Sequence, residues 1–418
     1  PCPPPPVRGR TQTPAPAPDP TTGQRDTAPA APGAPWLLVL TLILVALNLR
    51  PALTSLSTVL PEMMRGIGMG AGAASLLTTI PVLCLGLFGL LTPRLAVRHG
   101  SERTVLGALL VLSGGIAVRA LPTFPCQLLG TVLAGAGIGI AGVLLPALVK
   151  RDFPRHASSM TGLYTMALCS GAAAGTGLTP PLVRWLGSWS WALAFWSLPA
   201  LAAGLILLPL ALRRKRDLAL TPDRRRQTLW RDALAWQVTA YMGLQSSLAY
   251  IVFGWLTPIL RERGLDPIAA GLAVSLSILV QAPAALGAPL LATRRRTQSC
   301  AVVVVTLLIL AGLLGCLYAP LPTLWLWALV LGLAQGSSFA IALSLLVLRA
   351  PDTHTATRLS GMAQSIGYAL ASLGPLLTGL LRDWSGDWTL AGPLFVLICG
   401  LAAVAGFGAG RDRYVLAR

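Results

Sequence analysis

Acidic side chains are scarce in this sequence, and none of the 14 lies in the middle of a long apolar run. They fall in the terminal segments, in short connections or at the ends of runs, as Glu62, Glu102 and Asp232 do. Charge of either sign is thin, at 11% of 418 residues, where soluble domains carry roughly 25%. With 54% hydrophobic residues, that shortage excludes a soluble globular fold. Histidine is rarer still: His99, His156 and His354 all sit in short polar connections, and no HExxH or His/Cys ligand spacing exists. Seven cysteines are scattered without CxxC spacing, mostly inside apolar runs, and read as small buried hydrophobes. No Ser/His/Asp or Cys/His nucleophile set is apparent. No GxxxxGK[ST] phosphate loop is present either, so ATP does not drive the protein directly. Neither a metal nor another cofactor is expected, and the chain does not read as an enzyme.

What the sequence has in abundance is apolar runs, each near the ~20 residues that cross a bilayer as helix. Twelve spans are predicted, at 36–60, 72–93, 103–121, 126–149, 158–183, 190–212, 233–260, 267–292, 299–318, 322–348, 359–381 and 388–410. The expected fold class is an all-α membrane protein, twelve transmembrane helices in two six-helix pseudo-symmetric bundles. The expected units are a Pro-rich tail (1–35), an N-terminal bundle (36–212), a basic linker (213–232), a C-terminal bundle (233–410) and a short tail (411–418). The first segment, "PCPPPPVRGRTQTPAPAPDP" onward, cannot bury a core and is expected to be disordered. It lacks the layout of a signal peptide.

The formal net charge of +18 and the cluster "RRKRDLALTPDRRR" (213–226) raise a nucleic-acid role. The charges sit between apolar spans, however, and no aromatic-interleaved basic patch accompanies them, so no nucleic-acid partner is expected. They follow the positive-inside rule instead. With the N-terminus in the cytoplasm, 25 of the 32 basic residues fall on the cytoplasmic side and 5 on the outside, leaving Arg50 and Arg119 within spans. Both termini are therefore expected to be cytoplasmic.

The halves resemble each other at an offset of 199 residues. "GLYTMALCSG…VRWLGSW" begins at Gly162 and "GMAQSIGYAL…LRDWSGDW" at Gly361. Trp185, Gly187 and Trp189 land on Trp384, Gly386 and Trp388, and Lys150 lands on Arg349. Parallel six-helix repeats of this kind resemble the major facilitator architecture, which places a substrate site at mid-membrane between the halves. The run "LNLRPALTSLSTVLPE" (47–62) is similar to the first-helix signature of the cyanate and 2-nitroimidazole transporter family (CynX/NimT) within that superfamily. One stretch departs from the pattern. The loop after the second span usually reads like G-x-L-A-D-R-x-G-R-R, whereas here "PRLAVRHGSE" puts Pro93 at the Gly and Val97 at the Asp. The acidic member of the usual cytoplasmic charge latch is absent from its place.

The resemblance implies that spans 1, 4, 7 and 10, with 2, 5, 8 and 11, face the central path. Intramembrane ionisable residues usually face such a path, and Arg50 is the leading candidate. On one helix face it would share a polar stripe with Thr54 and Ser57. Asn48 and Pro51 beside it are expected to orient this helix, with Asn48 also carried as a candidate contact. In the C-terminal half, Gln245, Gln281, Gln335 and Gln364 occupy the four expected inner spans, with Tyr241 one turn before Gln245 and Tyr368 one turn after Gln364. Interhelical hydrogen bonding would explain any one of these amides equally well. Arg119, near the end of a peripheral span, is expected to snorkel to headgroups. "GAGIG" (135–139) and "GAAAG" (171–175) read as close helix packing.

The resulting expectation is a secondary transporter, monomeric in the lipid bilayer, moving a small polar or anionic solute by rocking its two halves. The resemblance suggests cyanate-like anions or nitro-heterocycles as the substrate class. Efflux of an uncharged or cationic drug is the alternative within this class, and a non-transporting receptor or scaffold is the alternative outside it. With no Asp, Glu or His in mid-span, coupling is expected to be uniport, exchange with a counter-solute, or a proton path restricted to helix-end groups such as Glu62.

Overall fold

The computed structural model describes residues 35–213, 229–292 and 297–416, which are helical throughout apart from short connections. The Pro-rich segment before Pro35, most of the basic linker and the last two residues lie outside the described residues. The helices are α1 (Pro35–Asn48), α2 (Pro51–Ile67), α3 (Ala71–His99), α4 (Ser101–Val118), α5 (Phe124–Asp152), α6 (Ala157–Leu186), α7 (Trp189–Phe195) and α8 (Ser197–Arg213). They continue as α9 (Ala233–Ile251), α10 (Thr257–Glu262), α11 (Pro267–Ala292), α12 (Ser299–Tyr318), α13 (Leu324–Leu348), α14 (Thr353–Ser385) and α15 (Ala391–Ala409). Three spans are composite. α1 and α2 make the first, α7 and α8 the sixth, and α9 runs through a π-helical segment, Val252–Leu256, into α10 to make the seventh.

Ten of the twelve spans are long and apolar enough to cross a membrane by composition alone. The remaining two, α6 and α14, are 30 and 33 residues long, and their polar residues lower their hydropathy. These are the two helices that carry the sequence repeat. Both end in the same way. Gly187 and Gly386 adopt φ of 66° and 76°, a left-handed turn that glycine enters without the Cβ penalty, so each Trp-x-Gly-x-Trp segment closes its helix and reverses the chain. At the other end of the molecule Asp352 caps α14 and Asp232 caps α9, their carboxylates accepting from the backbone N–H groups of Thr355 (2.8 Å) and Ala235 (3.0 Å).

Alternation of the spans gives the bundle a basic face, where α1 begins and where α3, α5, α13 and α15 end, and an opposite face. Across the halves α3 packs along α14 and α6 along α11, while α2 meets the π-helical segment. The buried apolar side chains form three clusters. One near the basic face belongs wholly to the first half, around Leu109, Leu112 and Leu144. A second belongs wholly to the other half, around Tyr241, Ile341 and Leu345. The third, around Leu56, Leu60, Met63, Trp255 and Ile259, joins both halves toward the opposite face. The halves are thus fused on one side of the bundle and separately cored on the other, an asymmetry that positions the central cavity.

The first span differs from its expected form. It is interrupted at Leu49–Arg50 rather than continuous, because Pro51 has no N–H to offer the carbonyl of Leu47 and its ring disfavours continuation. The Leu47 carbonyl faces Gly171 instead, so closely that a Cβ there would stand 1.9 Å from its oxygen. Gly175, the other end of GAAAG, packs on Pro51 and Thr54. The small residues of α6 therefore accommodate the broken backbone of the first span.

Candidate functional site

Between the halves lies a cavity of about 250 Å³. Its lining runs from Arg50 and Phe253 to Pro146, Thr161 and Leu343, near the basic-face ends of α5, α6 and α13. Toward the opposite face the way is closed by the shared apolar cluster and by ion pairs between the halves: Arg261 with Glu62 at 2.5 Å, and Arg184 with Asp266 at 3.0 Å.

Arg50 sits in the break between α1 and α2, half-buried, at the mouth of α2's first turn. Its guanidinium lies over the ring of Phe253, 5.3 Å from the centroid. That ring belongs to the π-helical segment, where one extra residue per turn shifts the side-chain register of the seventh span. Among the described residues no carboxylate stands within ion-pair distance of Arg50, and the cavity lining holds no Asp, Glu or His. A guanidinium above an aromatic face gains some attraction from the ring. Its donors remain available to a ligand.

The structure brings Arg50, Gln245, Gln281, Gln335, Gln364 and Tyr368 to this one cavity. Gln281 Nε2 donates to Gln335 Oε1 at 3.2 Å, and Gln335 Nε2 reaches the Leu248 carbonyl at 3.4 Å, linking spans 8, 10 and 7. Gln245 Nε2 donates to Ser246 Oγ at 2.8 Å. Thus three of the amides already make hydrogen bonds within the protein, while Gln364 and Tyr368 are half-buried on α14.

Three other candidates lie outside the lining. Asn48 is buried and turns back on α1, its Nδ2 donating to the Leu44 carbonyl at 2.8 Å. Thr54 is fully buried and donates to the Ala172 carbonyl of α6 at 2.8 Å, and Ser57 caps back onto Thr54. The expected stripe of Arg50, Thr54 and Ser57 does not form in the cavity, because the break at Arg50 removes the common helix face the spacing assumed. Tyr241 is buried behind the lining, its hydroxyl 2.9 Å from Ser338 Oγ, tying α9 to α13.

Arg119 also corrects its expectation. It does not snorkel: it is only 1% exposed, with Nη1 donating to the Ala52 carbonyl at 2.7 Å and Nη2 to Thr131 Oγ1 at 3.0 Å. Gln127 donates to its backbone carbonyl at 2.9 Å. Gly130 makes room for the Arg119 stem, since a Cβ there would meet Cγ at 2.9 Å. A side chain from a peripheral span thereby grips the first span two residues beyond Arg50. Near the basic face, Glu102 pairs with Arg151 within the first half, and Arg151 Nε also reaches Asp152 at 2.9 Å.

Tyr368 apart, the aromatic wall was not among the candidates. Tyr164, Tyr250, Phe253 and Phe339 all line the cavity. Tyr250 packs edge-to-face on Phe253 (centroids 5.9 Å) and on Tyr368 (6.3 Å). The repeat pointed to two further lining residues instead: at the 199-residue offset Thr165 pairs with Gln364 and Cys169 with Tyr368, and all four line the cavity.

Residues 38–375 match the Major Facilitator Superfamily. The chain is 34% identical to the 2-nitroimidazole transporter of Escherichia coli (strain K12), over 91% of this chain and 96% of that one. It is 32% identical to the cyanate transport protein CynX of the same organism, over 84% and 92%. It is 38% identical to the transporter YycB of Bacillus subtilis (strain 168), over 91% and 94%. Among solved structures, an inward-facing, occupied bacterial homolog of the human lysosomal transporter Spinster matches with a TM-score of 0.70 at 16% identity, over 91% of this chain and 98% of that one. A D-xylose–proton symporter matches at 0.71 and 15%, over 90% and 98%. Identities this low speak for the fold alone. The chain belongs to the Major Facilitator Superfamily, a family of membrane transporters rather than enzymes, and within it resembles the cyanate and 2-nitroimidazole transporters.

Proposed function

We propose that this protein is a secondary transporter that carries a small polar or anionic solute, of the cyanate-like or nitroimidazole-like class, by alternating access. One observation carries the anion preference: Arg50 holds the only formal charge in the cavity lining and has no acidic partner among the described residues. A guanidinium placed so offers a planar fork to a carboxylate, a nitro group or a small anion. The names of the relatives support the same substrate class. Export of a cationic drug fits less well, because the cation in the cavity would repel it and no carboxylate offsets the repulsion.

In this proposal residues 36–212 and 233–410 rock against each other, with the basic face in the cytoplasm and both termini there. The basic linker 213–232 joins the halves. The cavity then opens inward in the state described. Coupling runs through exchange or uniport, because the lining lacks the Asp, Glu or His that proton relays use. The protein acts as a monomer, since each chain contains both halves and the path between them.

Counterflow tests this reading. Purified protein in proteoliposomes preloaded with unlabelled solute should take up labelled solute transiently, for nitroimidazoles, cyanate or small carboxylates. A receptor or scaffold would show saturable binding without exchange, and that result would overturn the transport proposal.

A further inference from the structure

The cavity says more about its solute than its charge does. Resting on the anion reading above, we infer that the solute is a ring-bearing monoanion, of the aromatic monocarboxylate class, rather than a triatomic ion such as cyanate.

Size is the first ground. A single water molecule needs only about 10–15 Å³ of cavity space, and a linear three-atom ion little more, whereas the cavity offers about 250 Å³. A triatomic ion held at Arg50 would leave most of that space to water and most of the lining without contact.

The lining itself is the second ground. Three of the six tyrosines and two of the eight phenylalanines in the chain line this cavity, and no tryptophan does. Tyr250, Phe253 and Tyr368 form a continuous edge-to-face run. Arg50 covers the Phe253 ring at one end of that run. A flat ring laid along these walls keeps the offset and edge contacts aromatic groups prefer, and places a substituent at the guanidinium. The charge count is the third ground. One cation and no second basic group in the lining neutralises one negative charge, and a dicarboxylate would keep a second charge without a partner there. The amides of Gln245 and Gln335 line the same cavity and suit neutral polar substituents.

The test is equilibrium binding by calorimetry to the purified full chain in nanodiscs, using benzoate, pyridine-3-carboxylate, phthalate, benzamide and cyanate. Benzoate or pyridine-3-carboxylate should bind at least tenfold more tightly than cyanate, phthalate and benzamide. Tyr368→Leu and, independently, Tyr164→Leu should weaken the ring carboxylates fivefold or more while leaving cyanate binding unchanged. Cyanate binding as tightly as the ring carboxylates, in an Arg50-dependent way, would overturn the ring assignment and leave the anion reading intact. Benzamide binding as tightly as benzoate, unaffected by Arg50→Gln, would overturn both. Binding of neither ring carboxylate would overturn the assigned class.

Discussion

Glu62 and Arg261 stand 199 residues apart, the offset of the internal repeat, and form a two-pronged ion pair across the halves, with Nη2–Oε1 at 2.5 Å and Nη1–Oε2 at 2.7 Å. Equivalent positions on the first and seventh spans meet because the pseudo-symmetry axis passes between them. A carboxylate in one repeat and a guanidinium in the other turn that coincidence into a lock. Arg261 also donates to the Thr58 carbonyl at 2.9 Å, in the turn before Glu62.

Breaking this pair should favour opening at the opposite face. Hydrogen bonds to charged groups contribute about 1.5–3 kcal/mol, and each 1.4 kcal/mol is about tenfold in a conformational equilibrium. Glu62→Gln and Arg261→Gln should each raise labelling of a cysteine placed at Met63, in the apolar cluster shared by the halves, roughly tenfold. The exchanged pair, Glu62→Arg with Arg261→Glu, should restore low labelling. Labelling that stays at the wild-type rate in both single variants would show that the apolar cluster alone closes that face.

Arg50 should act through its charge and its fork separately. Arg50→Lys keeps the charge but offers a compact point donor, and Arg50→Gln keeps only neutral hydrogen bonds, about half as strong as charge-assisted ones. Anion affinity should fall about tenfold in the first and further in the second, with melting temperature near that of the wild type. Unchanged affinity in a folded Arg50→Gln protein would remove Arg50 from the solute site.

Arg119 should matter to both stability and binding, although it touches no cavity. Arg119→Gln leaves the Ala52 carbonyl and Thr131 Oγ1 without their donor, at a cost of about 1.5–3 kcal/mol. Melting should fall by several degrees, and anion affinity should fall with it as the Arg50 break loosens. An exposed, headgroup-facing arginine would change neither quantity.

Gly171→Ala should be among the most damaging small substitutions in the chain. Its Cβ would stand 1.9 Å from the Leu47 oxygen, a backbone atom in a broken span that cannot move aside cheaply. Gly107→Ala meets nothing within 4 Å and should be neutral or stabilising, since alanine favours the helix by up to about 1 kcal/mol. Folded yield by fluorescence size exclusion should separate the two; equal yields would mean the first span relaxes around the methyl.

Orientation is open to a direct assay. Alkaline phosphatase fused after residue 222 should be inactive and after residue 264 active, following the positive-inside bias. The reverse pattern would place the basic face outside and turn the described cavity outward.

Hydropathy is a local property, so the spans, their order and the two-fold repeat were legible in residues alone, whereas the left-handed turns at Gly187 and Gly386 within that repeat came only from the backbone. The unpaired charge at Arg50 was legible for the same reason: no acidic residue stands in any mid-span. Which side chains share the cavity was legible only in part: Arg50, the four glutamines and Tyr368 reach it while Asn48, Thr54 and Tyr241 do not. The reason is that facing depends on the rotation of each helix, and the first and seventh spans interrupt theirs. The break at Leu49–Arg50 sends Thr54 to the Ala172 carbonyl and leaves Arg50 facing the cavity. The π-helical segment shifts register at Phe253 and brings that ring beneath the guanidinium. Arg119 makes the same point at longer range. Its place at a span end suits snorkelling, and only the packing of α4 against α5, with Gly130 clearing a path to Ala52, decides that it turns inward.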